Sequence, residues 1–324
     1  MKVLVTGGAG YIGGHVVNSL EGDGHDVAVL DDLSTGQRDR LKPQTPLFVG
    51  SVLDSEFVAE TLREHRTDCI VHVAAKKAVE ESVGDPLMYY RENVIGMHSV
   101  LSAMVRVGVA KLLFSSSAAV YGVPAEGLVI EDAPTVPASP YGWSKLMCEQ
   151  MIRDTAHAEG LEWASLRYFN VAGAVAPELA DRGENNLIPR VFRAISAGER
   201  PQIFGTDYPT RDGTCIRDYI HVGDIAHAHA AVVQRMADVR LASTYNVGTG
   251  QGTSVLEVML TTRRVTGIDF SWDERPRRAG DPSSVVADAS RIGAELGWHS
   301  RYDLDSIVES AWQAWSAVPS TPQS

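Results

Sequence analysis

Short apolar runs alternate along the first 170 residues with segments in which apolar residues recur at helical spacing. The runs predict strands because they are brief and rich in β-branched residues, and they lie at 2–6, 26–30, 69–73, 111–115 and 163–167. Between the third and fourth runs, one apolar helical face is formed by Val94, Met97, Leu101, Met104 and Val105. This alternation predicts an α/β fold with a doubly wound parallel sheet, covered by helices on both faces.

The pattern loosens after residue 170, where proline, glycine and charged residues are interleaved. Predicted strands are short there, and helices are predicted near 187–197, 223–236 and 254–265. We expect two domains, 1–171 and 172–324, the second a smaller mixed α/β lobe from which some segments return to the first. Residues 318–324 have the composition of a disordered end.

A glycine-rich turn separates the first predicted strand from a predicted helix. The segment at 6–13 reads Thr-Gly-Gly-Ala-Gly-Tyr-Ile-Gly, and Val16, Val17 and Leu20 then recur at helical spacing. Strand, tight turn and helix start are the context of the dinucleotide-binding (Rossmann) fingerprint, in which a pyrophosphate rests on the helix N-terminus. The alternative is a glycine-rich turn that binds no ligand.

Asp31 stands at the end of the second predicted strand, where the ribose of a bound dinucleotide would lie. A carboxylate there accepts hydrogen bonds from two ribose hydroxyls and repels a 2′-phosphate. The next residue is Asp32 rather than an arginine. The sequence therefore favours NAD over NADP, the alternative being that Asp31 only caps the strand.

Composition and charge narrow the class of protein. The 324 residues carry a net charge of −12 and no basic run, which disfavours a nucleic-acid partner. The chain begins directly with a strand-like run and has no long apolar segment, so we expect neither a signal peptide nor a membrane span. The three cysteines lack CxxC spacing, and Cys69 falls in an apolar strand, which suits a reducing compartment and predicts a cytoplasmic protein.

The histidines give no support for a metal site. All ten are scattered, no H-E-x-x-H motif is present, and His227 and His229 are two residues apart on a predicted helix, so they face different directions. His221 lies in a strand-like run and is interpreted as a core or supporting residue. We expect no metal.

Three side chains downstream of the glycine-rich turn point to proton transfer. Ser117 lies at the end of its strand, and Tyr141 and Lys145 are four residues apart at the start of a helix opened by Ser139 and Pro140. A phenol with its usual pKa of about 10 is a poor base at neutral pH, but a nearby ammonium and an oxidised nicotinamide ring favour the phenolate. Ser117 can hold the substrate hydroxyl and relay its proton. A lone Tyr-x-x-x-Lys pair would instead be decoration on a helix surface.

The chain resembles the extended short-chain dehydrogenases/reductases and, within them, the subfamily of UDP-glucose (UDP-galactose) 4-epimerases. Besides these motifs, the resemblance rests on Asn93-Val, on Leu-Arg-Tyr-Phe-Asn-Val-Ala-Gly at 166–173 and on Asn-Asn-Leu at 185–187. Its most specific part is Phe-Gly-Thr-Asp-Tyr-Pro-Thr-Arg-Asp-Gly-Thr-Cys-Ile-Arg-Asp-Tyr-Ile-His at 204–221, followed by Arg-Ala-Gly-Asp at 278–281. The resemblance implies NAD as cofactor and interconversion of UDP-glucose and UDP-galactose through transient oxidation at sugar carbon 4.

The resemblance also implies roles for individual residues. It gives a catalytic trio of Ser117, Tyr141 and Lys145, with Tyr141 as the base and Lys145 also bonding the nicotinamide ribose. Besides Tyr141 and Lys145, the implied cofactor contacts are Gly7, Gly10, Tyr11, Ile12, Gly13, Asp31, Asn93, Ser115 and Tyr168. The implied UDP-sugar contacts are Ser117, Asn170, Asn186, Leu187, Phe204, Arg217, Arg278, Asp281 and Val285. Without the resemblance, either arginine would be interpreted as an ordinary surface charge.

Four positions depart from the pattern of the subfamily. It usually has glycine at the position of Glu80, a hydrophobic residue at Lys76 and often threonine at Ala119, and its acidic contact to the adenine is here Ser51. These departures bear on cofactor binding and rate rather than on reaction type. The sequence assigns no role to Glu80 or Lys76.

Related functions have other sequence signatures. Nucleotide-sugar 4,6-dehydratases carry an Asp-Glu pair where this chain has Ala118 and Ala119, and UDP-glucuronate decarboxylases use a glutamate in that stretch. A non-catalytic NAD-binding regulator typically lacks the tyrosine or the lysine, and this chain has both. These functions remain as alternatives.

A homodimer and a wider substrate range are also implied. Relatives pair two helices across a dimer interface, which here offer Val94, Met97, Leu101 and Met104 on the first and Leu146, Met147, Met151 and Ile152 on the second. Alternatively, both faces cover the sheet. Val285 corresponds to a position beside the sugar's 2-substituent, where a small residue leaves room for an N-acetyl group, so activity on UDP-N-acetylglucosamine is expected. The alternative is that Val285 packs between the lobes.

Overall fold

The computed structural model describes residues 1–124, 128–183, 186–278 and 280–317. Its strands are β1 Lys2–Thr6, β2 Asp26–Asp31, β3 Leu47–Val49, β4 Cys69–His72, β5 Lys111–Ser117, β6 Leu128–Val129, β7 Glu162–Tyr168, β8 Asn170–Ala172, β9 Gln202–Phe204, β10 Ile216–His221, β11 Ala242–Val247, β12 Gly252–Ser254, β13 Asp273–Arg275 and β14 Ser284–Ala287. Its α-helices are α1 Tyr11–Gly22, α2 Ser55–His65, α3 Val79–Gly84, α4 Pro86–Tyr89, α5 Gly96–Val107, α6 Pro140–Glu159, α7 Leu187–Ser196, α8 Val222–Asp238, α9 Val255–Thr266, α10 Ser290–Leu296 and α11 Leu304–Ala317. A π-helical turn, Tyr90–Ile95, precedes α5.

Seven parallel strands form the main sheet, in the order β11-β7-β5-β4-β1-β2-β3. Helices α1 and α8 pack on one face, and α2, α5 and α6 pack on the other. Central strands buried on both faces need apolar side chains in both directions, which is why they are continuous apolar runs in the sequence. The predicted α/β fold with a doubly wound sheet is confirmed.

The predicted elements coincide with the observed ones where local signals are strong. The five predicted strands correspond to β1, β2, β4, β5 and β7, and the three later helices to α7, α8 and α9. Ser139 caps α6 by accepting a hydrogen bond from the Gly142 N–H at 3.2 Å. Pro140 occupies the first turn, where its missing N–H costs no hydrogen bond.

Three of the five strands of a second, mixed sheet come from segments after residue 171, which also extend the first sheet. Strands β12, β10, β14 and β6 lie side by side, and β8 pairs with β10. Strand β12 is antiparallel to β10, whereas β14 and β8 are parallel to it. Strand β11 joins the main sheet beside β7, and β6 pairs with β14. Chain segments therefore cross between the two halves in both directions.

Seven of the eight apolar side chains predicted for a dimer interface pack within the chain instead, so the prediction of their role is wrong, whereas Met147 is exposed. Met97, Leu101 and Met104 on α5 and Ile152 on α6 are buried in the core between the sheet and helices α2, α5 and α6. Val94, Leu146 and Met151 are partly buried against core residues. An amphipathic stripe shows that a face is covered but not by what. The exposed apolar side chains on or beside these helices include Ile95, Trp143 and Met147.

Parts of the sequence-based interpretation fall outside the described residues. These are the terminal segment 318–324, Asn185 of the Asn-Asn-Leu motif and Ala279 of the motif at 278–281. Among the helices of the described ranges, none combines the length and the apolar character needed to cross a membrane.

Candidate active site

The glycine-rich turn connects β1 to α1 with backbone geometry that side chains would block. Gly7 has a φ of +70°, and a Cβ there would lie 2.6 Å from the backbone nitrogen of Ala74. A Cβ on Gly13 would lie 2.0 Å from the carbonyl oxygen of Gly7, so both positions require glycine. Gly10 gives α1 no side-chain cap. The first N–H groups of the helix, which lack intrahelical partners, are therefore suited to binding an anion.

Asp31 lies at the end of β2, beside this turn. Its Oδ2 accepts a hydrogen bond from the Ala9 N–H at 3.0 Å, and its Oδ1 accepts one from the Leu33 N–H at 2.9 Å. Burial raises the pKa of the carboxyl group, while these two hydrogen bonds lower it. An ionised carboxylate has about four acceptor positions, so it can also accept bonds from ribose hydroxyls. The turn and Asp31 together fit an adenine dinucleotide without a 2′-phosphate.

Tyr11 joins the two halves of the molecule at the same place. Its hydroxyl donates a hydrogen bond to the carbonyl oxygen of Gly173 at 2.7 Å, and its side chain is buried. Lys77 lies over this ring, with Nζ 5.8 Å from the ring centre. Ile12, the next residue of α1, is partly buried against the core of this face.

The structure brings Ser117, Tyr141 and Lys145 together, as predicted. The Tyr141 hydroxyl lies close enough to Ser117, the last residue of β5, for the serine hydroxyl to act on its pKa. One turn further along α6, Lys145 donates a hydrogen bond from Nζ to the carbonyl oxygen of Ser115 at 2.7 Å. The same ammonium lies 4.7 Å from the ring centre of Phe114. Strand end and helix start thus present a hydroxyl, a phenol and an ammonium in one buried region.

Burial acts on both titratable groups of this trio. It raises the pKa of Tyr141, which the nearby Ser117 hydroxyl partly lowers. It lowers the pKa of Lys145 to about 8, against the attraction of Cys148 and Glu149. The predicted lowering of the Tyr141 pKa by Lys145 is not seen in the protein alone, where the ammonium is directed at the Ser115 carbonyl.

His229 supports the site, and the sequence reasoning missed it. Its Nδ1 is 2.8 Å from the carbonyl oxygen of Ile225, and its Nε2 is 2.8 Å from the Ser115 hydroxyl. Burial lowers its pKa to about 4, so the ring is neutral near pH 7. Nδ1–H then donates to Ile225 and Nε2 accepts from Ser115. Burial raises the pKa of Tyr168, and the nearby Ser115 hydroxyl partly lowers it.

A buried ion pair behind β5 was also missed. Arg167 on β7 contacts Glu149 on α6 with two bonds, Nη2 to Oε2 at 2.6 Å and Nε to Oε1 at 2.9 Å. The hydroxyl of Ser116 donates to Glu149 Oε1 at 2.6 Å. Because Ser116 lies between the two serines of the site, the pair fixes that end of β5. The sequence signal was available, since Glu149 stands four residues after Lys145 on the same helix.

Asn93 is buried and clamps the loop after β4 to α6. Its Oδ1 accepts from the Lys76 N–H at 2.8 Å, and its Nδ2 donates to the Lys76 carbonyl at 3.0 Å and to the Ser144 hydroxyl at 2.9 Å. Ser144 in turn donates to the carbonyl oxygen of Tyr141 at 2.7 Å. The described contacts of Asn93 therefore position the loop at Lys76 against the turn that carries Tyr141. Its contact with the cofactor stays a prediction.

Two arginines from the specific motifs each pair with a carboxylate on the side of the second sheet. Arg217 on β10 has Nη2 at 3.2 Å from Asp281 Oδ1, and its Nη1 donates to two backbone carbonyls. Arg278 lies over the ring of Phe204 at 4.1 Å, with Nη1 at 3.2 Å from Glu80 Oε1. The structure thus groups the predicted UDP-side residues from 204–221 and 278–281.

Three further predicted substrate residues, Asn170, Asn186 and Leu187, lie at the starts of β8 and α7. Asn170 is exposed at the start of β8. Asn186 directly precedes α7, which begins at Leu187, and its Nδ2 donates to Asp181 Oδ2 at 2.6 Å.

Val285 packs in an apolar cluster. It is only 9% exposed and packs with Val120, Tyr121 and Val129, and its place beside the sugar stays a prediction. On β14 it is in register with Arg217 of β10.

Known proteins resemble this chain over nearly its whole length. A UDP-glucose 4-epimerase from Azospirillum brasilense is 46% identical over 316 residues, covering 96% of this chain and 90% of the relative. The crystal structure of a UDP-glucose 4-epimerase from Brucella ovis in complex with NAD superimposes with a TM-score of 0.93 at 40% identity, covering 97% of this chain and 98% of that one. The UDP-Glc/GlcNAc 4-epimerase of Campylobacter jejuni gives a TM-score of 0.85 at 39% identity, covering 98% and 99%.

The sequence model of one protein family also matches most of this chain. The model of the NAD dependent epimerase/dehydratase family matches residues 3–248, which include the glycine-rich turn, Asp31 and the trio of Ser117, Tyr141 and Lys145. With this match and relatives above 40% identity, the chain belongs to the NAD-dependent epimerase/dehydratase family.

Proposed function

We propose that the protein interconverts UDP-glucose and UDP-galactose by transient oxidation at carbon 4 of the sugar, with NAD regenerated in every cycle. The observation that carries the proposal is that Ser117 and Tyr141 lie side by side, with Lys145 one turn away and bonded to the same strand through Ser115. A turn and a carboxylate that fit NAD lie on the same sheet. The near full-length likeness to UDP-glucose 4-epimerases supports the same reaction.

The trio supplies the proton chemistry of this reaction. Bound NAD would supply the acceptor and donor of the hydride at carbon 4, together with a positive charge on its oxidised ring. Tyr141 takes the proton of the sugar 4-hydroxyl, while Ser117 holds that hydroxyl and relays the proton. Lys145 adds positive charge near the phenolate and fixes the end of β5 through Ser115. Because burial raises the Tyr141 pKa, the base depends on this positive charge at neutral pH.

Epimerisation also requires that the sugar can present either face of carbon 4 to the same hydride-transfer site. The 4-keto sugar turns over about its bond to the diphosphate, so the nucleotide must be held firmly and the sugar loosely. Arg217 and Arg278 hold the diphosphate, because a guanidinium can contact phosphate oxygens with two bonds. Further contacts to the UDP-sugar come from Asn170, Asn186, Leu187, Phe204 and Asp281.

The substrate range extends to UDP-N-acetylglucosamine and UDP-N-acetylgalactosamine. Val285 is small, and its register with Arg217 places it on a strand that borders the proposed diphosphate site. The relative from Campylobacter jejuni is described as a UDP-Glc/GlcNAc enzyme, which supports this wider range.

The protein acts as a cytoplasmic homodimer with a cofactor domain at 1–171 and a substrate lobe at 172–324. The exposed apolar side chains Ile95, Trp143 and Met147 support an interface on this side. Three buried free cysteines suit a reducing compartment. In this division, β11 of the lobe extends the sheet of the cofactor domain.

The testing experiment incubates the purified protein with UDP-galactose, without added metal, and measures UDP-glucose by chromatography. We expect product without net formation of NADH. Tyr141→Phe should lower kcat by about 10²–10⁴-fold, the range for a positioned acid–base group. Tyr302→Phe, at an exposed tyrosine whose stacking on His221 a phenyl ring retains, is the control.

Two outcomes contradict the proposal. Folded, NAD-loaded protein that forms neither sugar nucleotide product would favour a non-catalytic regulator. A product that has lost water or carbon dioxide would favour a dehydratase or a decarboxylase.

A further inference from the structure

Glu80 is a carboxylate at a position where the resembled subfamily usually has glycine, and the structure gives it one defined partner. Its Oε1 lies 3.2 Å from Nη1 of Arg278. Arg278 belongs to the loop between β13 and β14, whereas Glu80 belongs to α3, which follows the loop after β4. The ion pair therefore bridges the cofactor half and the substrate half of the molecule.

Besides its contact with Glu80, the guanidinium of Arg278 is held by an aromatic ring. It stacks on the ring of Phe204 at 4.1 Å, which fixes its plane and leaves its N–H edge for an anion. The side chain of Arg278 is 38% exposed and that of Glu80 is 70% exposed, so the pair is open to solvent and to a competing ligand. The neighbouring pair of Arg217 and Asp281 differs, because both of its members come from the substrate side.

The backbone that carries Glu80 is tied down on both sides. The Ala78 N–H donates to the Tyr89 hydroxyl at 2.8 Å, and that hydroxyl donates to Glu81 Oε2 at 2.7 Å. The ring of Tyr89 meets the ring of Tyr141 edge-on, with 6.4 Å between centres. Although the Glu80 side chain is exposed, its segment is anchored to the catalytic tyrosine and remains facing Arg278.

We propose that Glu80 sets the affinity for the UDP moiety by competing with its diphosphate for Arg278. The inference rests on the proposed function, in which Arg278 binds that diphosphate. The substrate must displace the Glu80 carboxylate before both guanidinium N–H groups can bind phosphate oxygens. When the nucleotide leaves, the carboxylate takes its place again, so Glu80 weakens capture and favours release.

The size of the effect follows from the exposure of the pair. Because exposed ion pairs contribute little, removing this competitor should tighten binding by about 2- to 5-fold, which corresponds to about 0.4–1 kcal/mol. Glu80→Gln keeps the shape and removes the charge. Both the Kd of UDP and the KM of UDP-galactose should fall by that factor, while kcat does not rise, because the proton-transfer trio is unchanged.

The test measures UDP binding to the NAD-loaded protein by calorimetry and turnover of UDP-galactose in parallel. Glu64→Gln on α2 removes the same charge from an exposed helix position and should leave both values unchanged. Combining Glu80→Gln with Arg278→Met closes a double-mutant cycle. In the Arg278→Met background, with UDP titrated to millimolar concentration, Glu80→Gln should change the Kd by less than about 1.5-fold, because its partner is gone.

The outcomes separate this inference from the function on which it rests. A wild-type protein that neither binds UDP nor turns over UDP-galactose overturns the proposed function. A wild type that does both, with Glu80→Gln binding UDP as weakly as the wild type, overturns the role of Glu80. If Glu80→Gln tightens binding equally with and without Arg278, the charge acts on the nucleotide directly and competition for Arg278 is excluded.

Discussion

Lys145 donates a hydrogen bond from Nζ to the carbonyl oxygen of Ser115, 2.7 Å away, and so ties α6 to the end of β5. The hydroxyl of Ser115 is held from the other side by Nε2 of His229 at 2.8 Å. The strand end that presents Ser117 to Tyr141 is therefore fixed by partners from two helices on opposite faces of the sheet. Proton transfer requires such fixed geometry, because the reacting groups must stay within hydrogen-bond distance.

Activity should fall at alkaline pH through the loss of the Lys145 ammonium. Burial lowers the pKa of Lys145 to about 8, so its charge disappears as the pH rises through that value. A neutral amine no longer favours the Tyr141 phenolate, and we expect kcat to decline above pH 8. Lys145→Met should lower kcat at neutral pH by about 10²-fold or more and remove this decline. Profiles of kcat between pH 6 and 10 check the prediction, and parallel profiles for both proteins would contradict it.

Stability should be lost steeply as the pH falls below about 6.5, the ordinary pKa of histidine. Burial lowers the pKa of His15, His221 and His229 to about 4 and that of His72 to about 3. Between these values and 6.5, the unfolded chain binds protons that the folded protein excludes, so stability falls as the pH decreases through this window. Each of these histidines should reduce the free energy of unfolding by about 1 kcal/mol per pH unit.

His229→Gln tests one member of this group, since glutamine can still accept a hydrogen bond from Ser115. The slope of unfolding free energy against pH should become shallower by about 1 kcal/mol per pH unit between pH 6 and 5. His98→Gln on α5 is the control, because its exposed side chain has similar surroundings in both states. Urea unfolding at several pH values gives the slopes, and equal slopes for wild type and His229→Gln would be the adverse result.

Removing one partner of the buried ion pair should destabilise the fold strongly. Glu149→Gln leaves the Arg167 guanidinium buried without its counter-charge, at a cost of about 3–5 kcal/mol. Glu159→Gln at the exposed end of the same helix should cost little. Replacing both members, as Glu149→Leu with Arg167→Met, should cost less than Glu149→Gln alone, because no charge is left unpaired. Thermal and urea unfolding of the wild type and the three variants measure these differences, and a Glu149→Gln protein as stable as the wild type would contradict the prediction.

The protein should be a dimer in solution, through the side that exposes Ile95, Trp143 and Met147. Light scattering at micromolar concentration should give about twice the 35.0 kDa of one chain. Met147→Glu should weaken association by burying a charge in the interface. Leu260→Glu, at an exposed position on α9, should leave the mass unchanged. A monomeric wild type, or equal association of both variants, would count against this interface.

The local signals in the sequence were sufficient for five of the seven strands of the main sheet, all except β3 and β11, and for part of the site. The continuous apolar runs of β1, β4 and β5 could be identified because both faces of a central parallel strand are buried. Ser139 and Pro140 marked the start of α6, and the four-residue spacing then put Tyr141 and Lys145 on one helix face.

What the sequence could not give was which surfaces meet. The spacing of Met97 and Met104 predicts a buried helix face. Only the fold shows that this face packs in the core of the same chain, beside the main sheet. His229 lies 114 residues from Ser115, and no local pattern links the two. The same holds for Glu80 and Arg278, whose contact arises from two separate loops that the fold brings together.

The choice between plain and N-acetylated sugars should depend on the size of the side chain at position 285. Val285 is buried with Val120 and Tyr121, and this cluster leaves little room for a ring. In Val285→Tyr, the ring is expected to project toward the sugar site, because the cluster cannot accept it, and to occupy the space for the 2-substituent.

We therefore expect the ratio of kcat/KM for UDP-N-acetylglucosamine to that for UDP-glucose to fall by about tenfold or more in Val285→Tyr. Val285→Leu, which adds one methylene, should change the ratio far less. Melting temperatures of both variants identify any general loss of folding, which would lower both activities and leave their ratio unchanged. If Val285→Tyr is folded and has the wild-type ratio, Val285 only packs against Val120 and Tyr121. Another side chain then limits the size of the sugar's 2-substituent.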